Sequence, residues 1–335
     1  MKLRVRGSKT ILSLAVVVVG VLSTALAVAA GPFSAEGSFE RTLQVTGPVD
    51  LDVTTGSGRI TVRPGDAGTV QVRGTIKVRR GWFGGRRSAE EKVRTLEANP
   101  PIEQDGNVIR IGHIEDRALR RNVSISYDLV VPAETQLRSH TGSGSQSIEG
   151  IRGPVNADTG SGSLTISGIG SDVRAHTGAG NIELDSIQGS VRADTGSGSI
   201  RGIAIAGGFW ADTGSGSVRV ELTAAGDVEI ETGSGSVEVR GVRGAVRVST
   251  GSGRINVAGA PAGDWKLGAG SGSITVRLPA EAAFDFYTRT GSGRIYTDHP
   301  ITVQGSIGRR ELRGQVRGGG FRLEVRTGSG NIRIQ

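Results

Sequence analysis

From Thr141 onward the chain alternates apolar and polar residues in short runs, and glycine breaks the runs at regular points. One unit places Val155, Ala157 and Thr159 on one face, bends through Gly-Ser-Gly, then places Leu164 and Ile166 on one face before a turn ahead of Ile169. The next unit repeats this with Val173, Ala175, Thr177, Ile182, Leu184 and Ile187, and the following one with Val191, Ala193, Thr195, Ile200 and Ile203. Alternation with a period of two predicts strands with one buried face. Each unit is therefore two short strands joined by a Gly-Ser-Gly bend and a glycine-containing corner.

The bend is spelled Thr-Gly-Ser-Gly at Thr55, Thr141, Thr159, Thr195, Thr213, Thr232, Thr250, Thr290 and Thr327, with near-copies at Thr177 and Ala269. From Thr141 the steps are 18, 18, 18, 18, 19, 18, 19 and 21 residues. A step this constant marks a repeat architecture. At roughly 3.3 Å per residue, a coil of 18 residues measures about 60 Å around, enough to enclose one narrow core. Coils stacked at about 4.8 Å make a parallel ladder, and each buries its faces only against its neighbours. The predicted fold is all-β, a parallel β-helix or β-solenoid with about 18 residues per coil. A β-sandwich of hairpins does not hold so regular a step. Stacked Thr and Ser are expected to share hydroxyl hydrogen bonds from coil to coil.

Two stretches interrupt the pattern. Residues 37–132 read as an irregular β start to the solenoid, with a loop and helix inserted at 79–121. The helix is predicted near 88–98, opened by a Ser88/Glu91 capping box, carrying Val93 and Leu96 as its apolar stripe and ended by Asn99-Pro100-Pro101. Strands are predicted at 107–113 and 123–131. Residues 133–335 form the regular repeat block, except for a basic, glycine-rich excursion over 307–320. The 37-residue step from Thr290 to Thr327 spans about two coils, which predicts one degenerate bend between them.

Composition narrows the picture. Glycine supplies 55 of 335 residues but aromatics only 4%, so the core must be built from Val, Ile, Leu and Ala. Without cysteine there are no disulfides, thiol chemistry or Cys-ligated zinc. The formal charge is +8, but Lys2, Arg4, Arg6 and Lys9 carry half of that excess, and nucleic acid is not an expected partner. Those four precede an uncharged run, 11–30, that ends in small residues. Residues 1–30 read as a signal peptide or a retained N-terminal membrane anchor. Either places the remainder outside the cytoplasm, in the periplasm or at the cell surface.

Thr-Gly-Ser-Gly followed by an apolar-polar-apolar strand, with Tyr127-Asp128-Leu129-Val130-Val131-Pro132 leading into the repeats, resembles the bacterial putative-adhesin family of β-strand-repeat proteins, a domain of unknown function. The resemblance runs from about Phe39 to Gln335. It implies an exported β-solenoid and carries no catalytic residues.

If coils stack in register, the residue before each repeat Thr forms an outward column: Thr54, His140, Asp158, His176, Asp194, Asp212, Glu231, Ser249, Gly268, Arg289 and Arg326. His140, Asp158 and His176 alternate as a pairing or metal-type ladder. Asp194, Asp212 and Glu231 stack like charges that repel unless neutralised, with Arg174, Arg192 and Arg219 expected nearby to screen them. Trp82 and Phe83, flanked by Arg86 and Arg87, are a second candidate contact point, for an anionic membrane surface or acidic polymer. No cofactor is implied, no nucleophile–base pattern or phosphate loop is present, and no helix follows the Gly-Ser-Gly bends to cradle an anion. The functional expectation is a non-enzymatic envelope scaffold or adhesion module, meeting a glycan, a membrane surface or an envelope protein. Two other classes remain: a carbohydrate-active enzyme using Asp158, Asp194 and Asp212 as clustered carboxylates, and a protein that self-associates end to end through open coil edges.

Overall fold

Parallel pairing stacks these strands into two sheets that face each other across one aliphatic core. The computed structural model describes residues 33–79, 86–303 and 308–335; the basic and apolar N-terminal segment and the pair Trp82–Phe83 lie outside the described residues. The first strand of each coil enters one sheet, here called the threonine sheet: Val155–Ser161, Val173–Ala179, Val191–Ser197, Phe209–Ser215, Val228–Ser234, Val246–Ser252 and Trp265–Ser271. The second strand enters the return sheet: Leu164–Ile169, Ile182–Ile187, Ile200–Ile205, Val218–Leu222, Val237–Val242, Ile255–Gly259 and Ile274–Arg277. The described threonine sheet has 15 strands and the return sheet 14. Equivalent residues stand opposite each other, as with Thr159 and Thr177, or Leu164 and Ile182. The chain is a β-solenoid.

The repeat chemistry explains the packing. Val, Ala and Thr of the threonine strands point inward, and the Val155, Ala157 and Thr159 set is buried, as are Leu164, Ile166 and Ile169 facing it. A buried threonine must satisfy its hydroxyl. Contrary to the expectation from the sequence, the threonine hydroxyls do not pair with one another. In the repeat block they donate instead to the carbonyl of the second bend glycine of the adjacent coil: Thr159 to Gly144 at 3.0 Å, Thr177 to Gly162 at 2.9 Å, Thr213 to Gly198 at 3.0 Å and Thr250 to Gly235 at 3.0 Å. The threonine thus pins its own coil to the corner of the preceding one. Replacing Thr213 by Val keeps the shape and removes the bond. The expected cost is about 1 kcal/mol, read as a lowered urea midpoint with an unchanged slope.

The ends depart from sequential stacking. Phe321–Ser329 lies between Trp265–Ser271 and Phe284–Ser292, and Ile332–Ile334 lies between Ile274–Arg277 and Ile295–Thr297. The last coil in sequence therefore occupies a rung that the chain skipped earlier. Among the described residues no degenerate bend fills the step from Thr290 to Thr327. The basic stretch after residue 307 is largely a capping strand, Glu311–Val316, antiparallel to both Phe284–Ser292 and Ile301–Val303.

A similar interleaving closes the other end. The coil Val49–Ser57 and Ile60–Gly65 is flanked on its inner side by Thr135–Ser143 and Gln146–Glu149, and on its outer side by Val108–Ile111 and Val123–Pro132. Beyond these, Thr69–Arg79 and Phe33–Gln44 add antiparallel strands to the return sheet, and Ile102–Asp105 adds one to the threonine sheet. Antiparallel strands cover both sheets at the N-terminal end and the threonine sheet at the C-terminal end, where open coil edges were expected, while Ile295–Thr297 is the edge strand of the described return sheet; such covering is a standard means of blunting a β-edge.

Helix α1, Arg86–Ala98, buries Ala89, Val93 and Leu96, and packs so closely that a Cβ on Gly37 would lie 2.3 Å from Val93 Cγ1. It begins two residues before Ser88, which therefore sits inside the first turn and is not the N-cap. A second helix, α2 at Arg117–Arg120, has no periodic signal in the sequence; Asp116 caps it by accepting from the Ala118 N–H at 2.7 Å.

Candidate functional site

The outward column of the threonine sheet is real and in register. His140 stands opposite Asp158, Asp158 opposite His176, His176 opposite Asp194, Asp194 opposite Asp212, and Asp212 opposite Glu231. Beyond Ser249 and Gly268 the interleaved coil reverses the expected order, so that Arg326 precedes Arg289. His140 Nδ1 lies 2.9 Å from Asp158 Oδ1, and His176 Nδ1 lies 3.5 Å from Asp194 Oδ1. The imidazoles thus pair along the column with the next carboxylate. Among the described residues no group of three His, Asp or Glu side chains is placed to hold a metal ion.

Asp212 and Glu231 make no ion pair among the described residues. Arg174 and Arg192 share their face two residues away, but Arg219 does not: it lies on the return sheet, 2.6 Å from Glu238. Arg240 reaches the same carboxylate at 2.5 Å. Burial alone would raise the Glu238 carboxyl, but the hydrogen bonds and charges of these two arginines outweigh it and hold it below the usual range. Arg86 and Arg87 open helix α1, and their side chains, like Trp82 and Phe83, lie outside what the structure describes.

One residue of this face has no counterpart among the expected ones. Two positions before the column, strand pairing aligns Arg138, Asn156, Arg174, Arg192, Trp210, Glu229, Arg247 and Lys266. Seven are polar and the eighth is Trp210, half-buried on an outward-facing row that continues past Lys266 through Glu324 to a second aromatic, Tyr287. An aromatic at a position the repeat fills with charges is a signal present in the sequence. It is hidden there because Trp210 obeys the strand alternation and interrupts no coil.

Trp210 lies in a groove crossing the rungs. On one side a hollow of about 270 Å³ is lined by Arg192, Asp194, Asp212, Glu229 and Glu231. On the other, one of about 430 Å³ is lined by Asp227, Glu229, Arg247, Lys266 and Arg322. A separate cleft of about 600 Å³ at the N-terminal end mixes Arg110 and Arg120 with Glu103 and Glu115. The buried Tyr127 hydroxyl at its edge has no hydrogen-bond partner among the described residues, and burial pushes its pKa up, so it stays protonated.

Comparison with known proteins bears on the fold. Residues 195–335 match the family model Toastrack DUF4097. A cell adhesion protein from Clostridium sporogenes ATCC 15579, itself described as putative, aligns at 11% identity over 90% of this chain and 99% of its own, with a TM-score of 0.23. A putative adhesin from Bacteroides fragilis NCTC 9343 aligns at 11% over 90% and 99%, with a TM-score of 0.30. A putative lipid binding protein from Parabacteroides distasonis ATCC 8503 aligns at 11% over 89% and 97%, with a TM-score of 0.26. At these TM-scores no role is carried from them. No curated protein matches the chain. The Toastrack match covers the C-terminal coils, and the same Thr-Gly-Ser-Gly repeat runs upstream of them, so the chain is similar to that family over residues 195–335.

Proposed function

We propose that the chain is a non-enzymatic adhesion and interaction module of the cell envelope, working outside the cytoplasm and binding through the outer face of its threonine sheet. One observation carries this reading: Arg192, Asp212 and Glu231 stand exposed and without ion-pair partners among the described residues, in register, beside the groove at Trp210. Some other surface charges are neutralised by neighbours, as in Arg219–Glu238 at 2.6 Å, Arg326–Glu324 at 2.8 Å and Arg73–Glu40 at 2.6 Å. A stack of like charges opposes folding, and a partner carrying complementary groups offsets that cost. A rigid ladder of this kind lets weak contacts add through effective concentration. The basic and apolar N-terminal segment supports export.

The test uses the full chain. Cell fractionation is expected to recover it with the envelope, and the purified protein is expected to be retained on isolated envelope material. The combined changes Asp194→Asn, Asp212→Asn and Glu231→Gln should weaken retention about tenfold while leaving the thermal midpoint unchanged or slightly higher. Unaltered retention by this variant, or recovery only in the cytoplasm, overturns the proposal.

A further inference from the structure

The groove at Trp210 narrows the partner to a chemical class. A Cβ on Gly208 would lie 2.7 Å from Trp210 Cη2 and 2.9 Å from Cζ3. The six-membered ring of the indole therefore folds back along its own strand into the space that Gly208 leaves open. It lies along the sheet and does not project from it. The other large aromatics in comparable settings are committed. Tyr287 is covered by Arg326 at 5.2 Å, and Tyr296 by Arg333 at 5.5 Å. Trp265 is buried, and its indole N–H donates to the Gly244 carbonyl at 3.0 Å. Trp210 has neither: no ring or cation of the described residues stacks on it, and its N–H has no partner among them.

What borders the ring sets the ligand's charge. In the smaller hollow four carboxylates, Asp194, Asp212, Glu229 and Glu231, face the single guanidinium of Arg192. In the larger one Arg247, Lys266 and Arg322 are matched by Asp227, Glu229 and other acids. A flat aromatic surface with carboxylate acceptors beside it, recurring at the strand spacing of about 4.8 Å, suits a chain of rings rich in hydroxyl donors. The excess of carboxylates repels acidic polymers and attracts amines, which the indole face also favours.

Resting on the reading of the threonine-sheet face as the binding surface, we infer that its ligand is a linear glycan of uncharged or amine-bearing sugars. One pyranose face lies on Trp210, with hydroxyls donating to Asp212 and Glu231 and accepting from Arg192. The polymer runs across the rungs through both hollows, so affinity grows with chain length until both are filled.

Calorimetric titration of the full chain with N-acetylglucosamine oligomers, their deacetylated forms and a polyuronic acid tests this. The first two are expected to bind, more tightly with length, and the polyuronic acid is not. Trp210→Ala should weaken binding about tenfold or more at an unchanged thermal midpoint. Gly208→Ala keeps the indole but pushes it off its seat, and should weaken binding comparably. Equal binding by Trp210→Ala, preference for the polyuronic acid, or no binding to any of the three glycans overturns the inference. If glycans fail while retention on envelope protein still depends on Asp194, Asp212 and Glu231, the glycan assignment falls and the interaction face stands.

Discussion

Ending the chain at Gly320 is expected to disorder the coil Phe284–Thr297 as well as removing the coil that follows it. In a solenoid stacked in sequence order, losing the final coil exposes one new edge and leaves the rest intact, because each repeat contacts only its neighbours. Here the final coil is interior. Leu323 stands opposite Trp265 on one side and Phe286 on the other, and Ile332 opposite Ile274 and Ile295. Leu323, Val325, Ile332 and Ile334 are all buried, each worth about 1.5–3 kcal/mol to the two interfaces it fills. The bridge of rings from Trp265 to Phe321 to Phe284, at 6.5 and 5.6 Å between centroids, goes with them. Hydrogen exchange of the truncated chain should show fast amides throughout 284–316 and protection as in the full chain up to residue 277. Full protection at 284–297 in the truncated chain would mean that this coil slides down to fill the vacancy, and that the interleaved order contributes little to stability.

The repeat is legible down to its register, and its stacking order is not, for one physical reason. Every coil offers its neighbours the same backbone ladder and nearly the same inward side chains. Gly268 pairs as well with Arg326 as it could with Arg289, and strand patterning cannot choose between them. The one trace of the skipped rung is the 21-residue step from Ala269 to Thr290, slightly longer than the others, as a connection that climbs two strand spacings requires. The capping strand Glu311–Val316 is obscured by its charge: Arg309, Arg310, Arg313 and Arg317 read as a loop, while Leu312 and Val316 turn inward.

The candidate site was partly visible in the same way. Alternation places His140, Asp158, His176, Asp194, Asp212 and Glu231 on one outward line, and the pairing confirms it. Trp210 escapes a search for broken repeats because it replaces a charge without disturbing the coil. Its meaning appears only when strands are aligned across rungs and the missing Cβ of Gly208 is seen to seat the ring. Arg219 fails for the opposite reason: proximity in sequence to Asp212 hides the corner that carries it to the other sheet.

Replacing Gly216 by Ala is expected to cost on the order of 3 kcal/mol or more, although the residue lies at a surface bend. A Cβ there would lie 1.9 Å from the carbonyl oxygen of Gly198 and 2.5 Å from its carbon. These are backbone atoms of the adjacent coil and cannot rotate aside. The contact recurs along the stack: 2.1 Å from Gly162 to Gly144, 2.1 Å from Gly180 to Gly162 and 2.0 Å from Gly253 to Gly235. Relief therefore requires separating two coils whose ladders are fixed on both sides. The Gly216 N–H to Ser234 carbonyl bond, at 2.9 Å, and the Thr213 to Gly198 bond, at 3.0 Å, would both stretch. The neighbouring Ser215 gives the control. It is exposed, and the chain already carries Ala179 at the equivalent place, so Ser215→Ala should change stability by no more than about 0.5 kcal/mol. Urea denaturation of the two variants separates the readings. A Gly216→Ala midpoint as close to the parent as that of Ser215→Ala would show that the second bend glycine serves flexibility. A large drop confined to Gly216→Ala would show that it is there because two backbones meet with no room for a side chain.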